Sequence, residues 1–449
     1  MNGVTFGNEA LPDLRSALLS AAPQEAAALL LAGWAGAGDQ TRLLVREHFV
    51  VPAQAYQAQE RLRAVIHPSF IMPLLKRARN ESLSLILTHT HPFAVDAHFS
   101  SVDDEGERVL MPALFSRTGD CPHGALVITS EDCSARIWTK RNAEPQHLSP
   151  VIEVGRHLRI HDRLGNSSPT ISEQFDRSVR AFGAEGQATL ASLSIGIIGL
   201  GGIGSVVAEQ LAHLGVRKLL LLDPDVLEET NLNRLIGATR LDIGRPKVEV
   251  AADLIRRINP QIEATAILGD VIMSNDARRI LSSDFLFCCT DSHGSRAVIN
   301  QLAYQYMIPA IDLGVRVQVR AGTVESVTGR IQMLAPGLPC LVCHNLLDPE
   351  EVRRDLLSEE ARTRDPYIVG AVEPQPAVIS LNSTVASLGV TMMLSAVVGL
   401  PGPARHQLVL FNRSVVRAVA SDPLPKCVVC SINGMLGRGD TWPMAGRPS

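Results

Sequence analysis

Ile195–Gly199 reads as a short apolar strand, Ser205–Leu214 as a helix and Lys218–Leu222 as a second strand. The turn Gly199-Leu200-Gly201-Gly202-Ile203-Gly204 joins the first strand to the helix, and no other stretch constrains the fold as strongly. A strand, a helix and a strand at this spacing make one βαβ unit, the seed of a parallel sheet with helices on its faces. Glycines let the backbone turn tightly and approach a phosphate, whose charge is favoured at the N-terminus of the following helix. Asp223 ends the second strand, where an acidic residue meets ribose hydroxyls. The pattern predicts a nucleotide site. Alone, it suits a dinucleotide-dependent oxidoreductase equally well.

Two segments further along the chain separate these options. Asn231-Leu232-Asn233-Arg234 and Gly244-Arg245-Pro246-Lys247 put basic groups downstream of the ribose aspartate. Hydride transfer does not need them. A triphosphate attacked at its α-phosphate does, because charge builds on the leaving pyrophosphate. Asp291, after the apolar strand Phe285–Cys289, offers a hard oxygen ligand suited to Mg²⁺. In order and spacing, RSVRAFGAEGQATL, IIGLGGIG, DPDVLEETNLNRL, GRPKVE, INP and CTDSHGSR resemble the ThiF/MoeB-type adenylating enzymes, the family that includes ubiquitin-activating enzymes. The resemblance runs from about Arg177 to Cys430. It implies that Gly199, Gly201, Gly202 and Gly204 cradle phosphates and that Asp223 holds ribose. It further implies that Asn231, Arg234 and Lys247 contact the triphosphate, that Asp225 lies close by and that Asp291 binds Mg²⁺. Arg180 corresponds to an arginine that family dimers insert into the neighbour's site, which implies a homodimer. Leu235 replaces the family's usual Gln, and Ser292 its usual Asn.

Residues 1–148 read as a separate α+β domain, 149–172 as a linker with Gly165-Asn166-Ser167-Ser168-Pro169 at its most flexible point, and 173–449 as the adenylating domain. In the first domain, Ser84–Leu87 is a strand running into His89-Thr90-His91-Pro92. Histidines two apart on a strand point to one face. With a carboxylate from Ser100-Ser101-Val102-Asp103-Asp104 they give zinc three protein ligands and leave a fourth position open, the catalytic arrangement. Zinc lowers the pKa of a bound water to about 7, and a nearby carboxylate such as Glu25 can then take its proton. Glu25 before an apolar strand, His89-x-His91 and Ser100-x-x-Asp103 together resemble the JAMM motif of JAB/MPN-type metalloproteases, which cut peptide or isopeptide bonds at the carboxyl terminus of ubiquitin-like proteins. The resemblance implies His89, His91 and Asp103 as ligands, Glu25 as general base and Ser100 as oxyanion stabiliser. Eight residues rather than seven separate His91 from Ser100, which leaves Ser101 and Asp104 as the alternative pair.

Cys340-x-x-Cys343 and Cys427-x-x-Cys430 are two hooks of the kind that close a tetrahedral, structural zinc site. Two zinc ions per chain are therefore expected. The 449 residues suffice for two or three domains, and a net charge of −4 favours neither nucleic acid nor an anionic membrane. No secretory signal is visible, and eight cysteines are too few for a disulfide scaffold, so a cytoplasmic protein is expected. Pro374–Ala404 carries no charge but holds six Asn, Ser and Thr residues between positions 382 and 395, so a buried helix is expected rather than a membrane span.

These readings combine into an α/β chain in which an α+β JAB/MPN-like domain precedes a Rossmann-like, doubly wound adenylation domain. The expected reaction is Mg-ATP-dependent adenylation of the C-terminal glycine of a ubiquitin-like or sulfur-carrier protein. The first domain would trim that protein or release it from its targets, and a conjugating enzyme or sulfur donor would accept it. A peptide-modifying adenylyltransferase, an NAD-binding oxidoreductase and a non-enzymatic adaptor remain the alternatives. No cysteine lies between Cys343 and Cys427, and Ile368 stands near where relatives place a nucleophilic cysteine. No carrier thioester on this chain is expected.

Overall fold

A computed structural model divides the chain into two compact units. The first comprises Met1–Arg163, Gln305–Met307 and Ile432–Pro443, and the second Leu164–Tyr304, Ile308–Ser431 and Met444–Ser449. The structure describes residues 3–37, 40–161, 172–358, 361, 376–402 and 404–447.

The first unit is built on strands β1 (Gly3–Gly7), β2 (Ala27–Ala37), β3 (Gln40–Val50), β4 (Tyr56–Gln59), β5 (Ala64–Ile66), β6 (Ser84–Thr90), β7 (His123–Ile128), β8 (Cys133–Trp138), β9 (Gln146–Leu148), β10 (Val151–Val154) and β11 (Leu158–His161). Nine of them form one mixed sheet in the order β11-β10-β1-β3-β2-β6-β7-β8-β9, while β4 and β5 pair separately. Side chains alternate between the faces of a strand, so neighbouring leucines of β2 serve two cores. Leu30 packs with Leu11, Leu14 and Leu18 of helix α1 (Ala10–Leu19). Leu31 packs with Leu75 of α2 (Pro68–Glu81) and Met111, Leu114 and Phe115 of α3 (Ser101–Thr118). The boundary expected at 148 is corrected: β10 pairs in parallel with β1, and β11 folds back on β10. Val151, Ile152 and Val154 are buried, an apolar signal hidden among the polar residues around it. The Gly165–Pro169 stretch lies outside the described residues.

The second unit has β12 (Ser194–Ile198), β13 (Lys218–Asp223), β14 (Glu263–Leu268), β15 (Phe285–Cys288), β16 (Ala310–Arg320), β17 (Thr323–Leu334), β18 (His406–Leu410) and β19 (Val415–Ala418). Its helices are α4 (Asp176–Ser192), α5 (Gly204–His213), α6 (Lys247–Ile258), α7 (Ser274–Arg279), α8 (His293–Gln305), α9 (Pro349–Leu356) and α10 (Ile379–Val397). The strand order is β14-β13-β12-β15-β16-β17-β18-β19, in which the first five run parallel and the last three are added antiparallel. The doubly wound expectation thus holds for five of the eight strands. From β12 the chain goes to β13 on one side, and β15 takes the other, so a crevice opens beyond the C-terminal ends of β12 and β15. By length and composition α10 could cross a membrane. Here it buries Val385, Ala386, Val390, Met392 and Met393 and packs against α5, β16 and β17, as a core helix does.

Candidate functional site

At that crevice lies a pocket of about 390 Å³. Gly199, Gly201 and Gly202 of the turn line it together with Asp223, Asp225, Arg234, Lys247 and Asp291. The turn needs its glycines for concrete reasons. Gly199 has φ +89°, a region that side chains disfavour. A Cβ on Gly204 would lie 1.8 Å from the Gly199 carbonyl oxygen, whereas one on Gly201 would meet nothing within 4 Å. Gly204, expected to cradle phosphate, instead lets α5 start against the turn and stays outside the pocket lining. The amides at the start of α5 favour an anion in the adjacent space.

Asp223 is buried at the end of β13. Its carboxylate accepts the N–H of Leu200 at 2.5 Å and that of Asp225 at 2.8 Å, which fixes it against the turn. Burial raises its pKa, opposed by those donors and by Lys247. Lys247 Nζ donates to Asp225 Oδ2 at 2.7 Å. Such a partly exposed pair is worth about 1 kcal/mol or less, so the lysine exchanges readily to a phosphate. Arg234 donates to the Thr230 carbonyl at 2.7 Å and to Asn233 Oδ1 at 3.2 Å, both neutral acceptors.

Asn231 is expected at the triphosphate of its own chain, and Arg180 at the site of a partner chain. Asn231 Oδ1 accepts the backbone N–H of Glu228 at 3.2 Å, capping the short turn Glu229–Asn231, and the residue does not line the pocket. Arg180 is exposed on α4 and pairs with Asp176 one turn away at 2.9 Å. The structure also adds members that the motifs did not single out: Asp270, Arg296 and Asn382 line the pocket. Arg296 stands 3.3 Å from the fully buried Asp312, which also pairs with Arg330. Asp312 lies on β16 and carries no local motif. Cys289, expected inside a strand, follows the end of β15 and lines the pocket. Burial pushes its thiol well above the ordinary range, as it does that of Cys288.

In the first unit, β6 carries His89 and is followed by His91, with the buried Thr90 facing the other way. Thr90 Oγ1 accepts the N–H of Ala26 at 2.9 Å, tying the residue after Glu25 to the histidine strand. Asp103 caps α3 in a reciprocal box with Ser100: Ser100 Oγ donates to Asp103 Oδ2 at 2.7 Å, and Asp103 N–H donates to Ser100 Oγ at 3.3 Å. The box presents Asp103 Oδ1 at 2.9 Å from His89 Nε2 and Oδ2 at 3.6 Å from His91 Nε2. The two Nε2 atoms are 3.2 Å apart, and Glu25 Oε1 is 3.9 Å from that of His91. Asp104 instead pairs with Arg136 at 2.7 Å, so the Ser100/Asp103 register is the one that meets the histidines. Burial works to raise Asp103, yet its contacts with both histidines hold it well below the usual carboxylate range. Burial raises Glu25, partly offset by the same histidines. One ligand atom each from His89, His91 and Asp103 falls within 4.8 Å of the others. Two imidazoles and one carboxylate on one side, open elsewhere, are a donor set that fits zinc.

The four hook sulfurs also converge within 4.8 Å. Cys340 Sγ is 3.7 Å from Cys343 and 3.5 Å from Cys427, and Cys343 is 3.3 Å from Cys430. A tetrahedral ion with Zn–S bonds of about 2.3 Å separates sulfurs by about 3.8 Å. Four thiolates at this spacing fit a closed zinc site, and the Leu424 N–H donates to Cys343 Sγ at 3.4 Å.

A model of the ThiF family matches residues 175–424. The chain is 30% identical over 204 residues to molybdopterin-synthase adenylyltransferase of Escherichia coli (strain K12), covering 44% of this chain and 77% of that protein. It is 30% identical over 161 residues to SAMP-activating enzyme E1 of Haloferax volcanii, covering 36% of this chain and 56% of that one. With ubiquitin-like modifier-activating enzyme 5 of Oryza sativa subsp. japonica it shares 32% over 164 residues, 33% of this chain and 37% of that one. Of the first-named two relatives it thus spans three quarters and about half.

Proposed function

The chain belongs to the ThiF family, and on that premise we propose that its second unit uses Mg-ATP to adenylate the C-terminal glycine of a ubiquitin-like or sulfur-carrier protein. One observation carries the reading. Arg234, Lys247 and Asp291 share a pocket with the glycine turn and Asp223, a charge set that a triphosphate requires and a dinucleotide does not. The relatives support the substrate class, since one is named for a ubiquitin-like modifier and another for molybdopterin synthase. In the proposed step, a carboxylate oxygen of the glycine attacks the α-phosphorus and the bond to the β-phosphate oxygen breaks. The products are an acyl-adenylate and pyrophosphate. The attacking carboxylate is ionised at neutral pH, so positioning and charge neutralisation suffice. Arg234 and Lys247 take the charge of the departing pyrophosphate. A magnesium ion held by Asp291 would neutralise phosphate oxygens.

For the first unit we propose zinc-dependent peptide or isopeptide hydrolysis at the same carrier terminus, supported by the convergence of Glu25, His89, His91, Ser100 and Asp103. A zinc ion there would supply Lewis acidity toward the scissile carbonyl and toward water. Glu25, buried and raised in pKa, is placed to receive a proton, and Ser100 to donate to a developing oxyanion. A homodimer with Arg180 reaching the partner's pocket, a cytoplasmic location and transfer to a conjugating enzyme or sulfur donor belong to the same proposal.

ATP–pyrophosphate exchange tests the adenylation reading: it is expected to depend on a carrier ending in a free glycine, and exchange indifferent to that terminus would refute the substrate class. A second outcome concerns covalent transfer. Cys288 and Cys289 are held as neutral thiols by burial, Cys133 is buried, burial raises Cys121, and Ile368 lies outside the described residues. A thiolate is the reactive form. Incubation with carrier and Mg-ATP should therefore give no thiol-sensitive adduct on a non-reducing gel. An adduct abolished by mutating one cysteine would identify a nucleophile and contradict this.

A further inference from the structure

The pocket of the second unit contains a polar side chain that the proposed adenylation leaves without a task. Asn382 lies in the first turn of α10, is only 5% exposed and lines the pocket. Other polar side chains of this uncharged helix find partners inside the protein. Thr384 and Thr391 donate to the carbonyls of Ser380 and Ser387 at 2.8 Å, Ser387 accepts from Gln210 at 2.7 Å, and Ser395 donates to the Gly402 carbonyl at 2.7 Å. The Asn382 amide has no hydrogen-bond partner among the described residues. The amide is not sealed off in the core but opens on the pocket, where a ligand oxygen can accept its N–H.

Its neighbours define that ligand. A Cβ built on Gly202 would fall 2.3 Å from Asn382 Nδ2 and 3.4 Å from Cγ and Cδ of Arg234. The amide, the arginine and the glycine turn therefore meet at one point, and only glycine at 202 leaves room for them. Arg234 donates to neutral oxygens, and no carboxylate among the described residues pairs with its charge. At the turn's other shoulder, Leu200 donates to Asp223. One shoulder thus holds the carboxylate suited to ribose, and the other holds two donors with no anionic partner.

Resting on the nucleotide reading of this pocket, we propose that the Asn382 side-chain amide is a binding group for the pyrophosphate end of ATP, donating with Arg234 to a β- or γ-phosphate oxygen. A nucleotide laid along the turn from Asp223 carries its distal phosphates to this point. The amide adds a donor without adding charge, and it reads phosphate number: a triphosphate reaches it and a monophosphate does not.

The test is equilibrium binding of AMP and of α,β-methylene-ATP to the full chain, as wild type, N382A and N382D. The analogue's affinity should fall roughly 10- to 100-fold in N382A, the range for hydrogen bonds to charged groups, while AMP binding stays essentially unchanged. N382D is close to isosteric and sets a carboxylate against phosphates, so it should lose more than N382A. A structural role gives the opposite order, because alanine removes packing that aspartate keeps. Equal loss of AMP and analogue, a better-binding N382D than N382A, or unchanged analogue affinity would each overturn the proposal. Failure of the nucleotide reading looks different: the wild-type chain would bind neither ligand, and the proposal would fall with it.

Discussion

Asp291→Ala or Arg234→Ala should each slow ATP–pyrophosphate exchange by about 10²–10³-fold, the usual cost of removing one charged contact to a developing anion. Arg234 is the cleaner test of the two. Its hydrogen bonds go to Thr230 and Asn233, so its loss breaks no ion pair seen in the protein. Its effect should thus appear in the rate and not in the melting temperature. Asp291 follows the end of β15 beside Thr290, directly across the switch point from the glycine turn. Losing it removes the hard oxygen ligand for Mg²⁺, so raising the magnesium concentration should rescue part of the defect in Asp291→Ala and none in Arg234→Ala. The double variant should lose less than the product of the two, because both act on one phosphate charge. Exchange at wild-type rates in either single variant would contradict the assigned roles.

The largest effect on stability is expected at the cysteine hooks. Cys427→Ser with Cys430→Ser should leave the second unit unfolded or easily proteolysed, since apparent zinc binding by such sites is about 10–16 kcal/mol, as large as the net stability of about 5–15 kcal/mol that holds a domain folded. The hooks join the segment after β17 to the one after β19, so an ion held there would tie down the antiparallel edge of the sheet. Elemental analysis should find close to two zinc ions per wild-type chain, one for each of the two ligand clusters. His89→Ala with His91→Ala should remove one ion and leave the melting transition of the second unit in place. One zinc that persists without the histidines, in a protein that never held two, would remove the metal from the first unit.

Features set by neighbouring residues were legible in the sequence, and features assembled from distant segments were not. The βαβ seed, the glycine turn and Asp223 lie within 29 residues of chain, from Ile195 to Asp223, and their pattern survives in the fold because each is set locally. His89-x-His91 and the Cys-x-x-Cys hooks were legible for the same reason. The choice between Asp103 and Asp104 was not, because it depends on the capping box that starts α3 one residue later in the loop than expected from the usual spacing. Strands β10 and β11 were hidden by polar flanks, although Val151, Ile152 and Val154 mark the buried positions. Asp312, Arg296 and Asn382 come to the pocket region from β16, α8 and α10, and no short pattern announces a residue whose partners are far along the chain. Asn231 shows the other direction: at a motif position that the family resemblance assigns to the triphosphate, its side chain caps a turn here.

The most direct test of two activities on one carrier terminus is a single exchange assay with two substrates and two enzymes. A carrier ending in glycine should support ATP–pyrophosphate exchange with both the wild-type chain and Glu25→Ala, because Glu25 belongs to the first unit and the pocket to the second. A carrier with extra residues after that glycine should support exchange with the wild-type chain alone, after a lag in which the terminus is cleaved. Equal exchange from the extended carrier with both enzymes, or loss of exchange from the glycine-ended carrier in Glu25→Ala, would contradict the account.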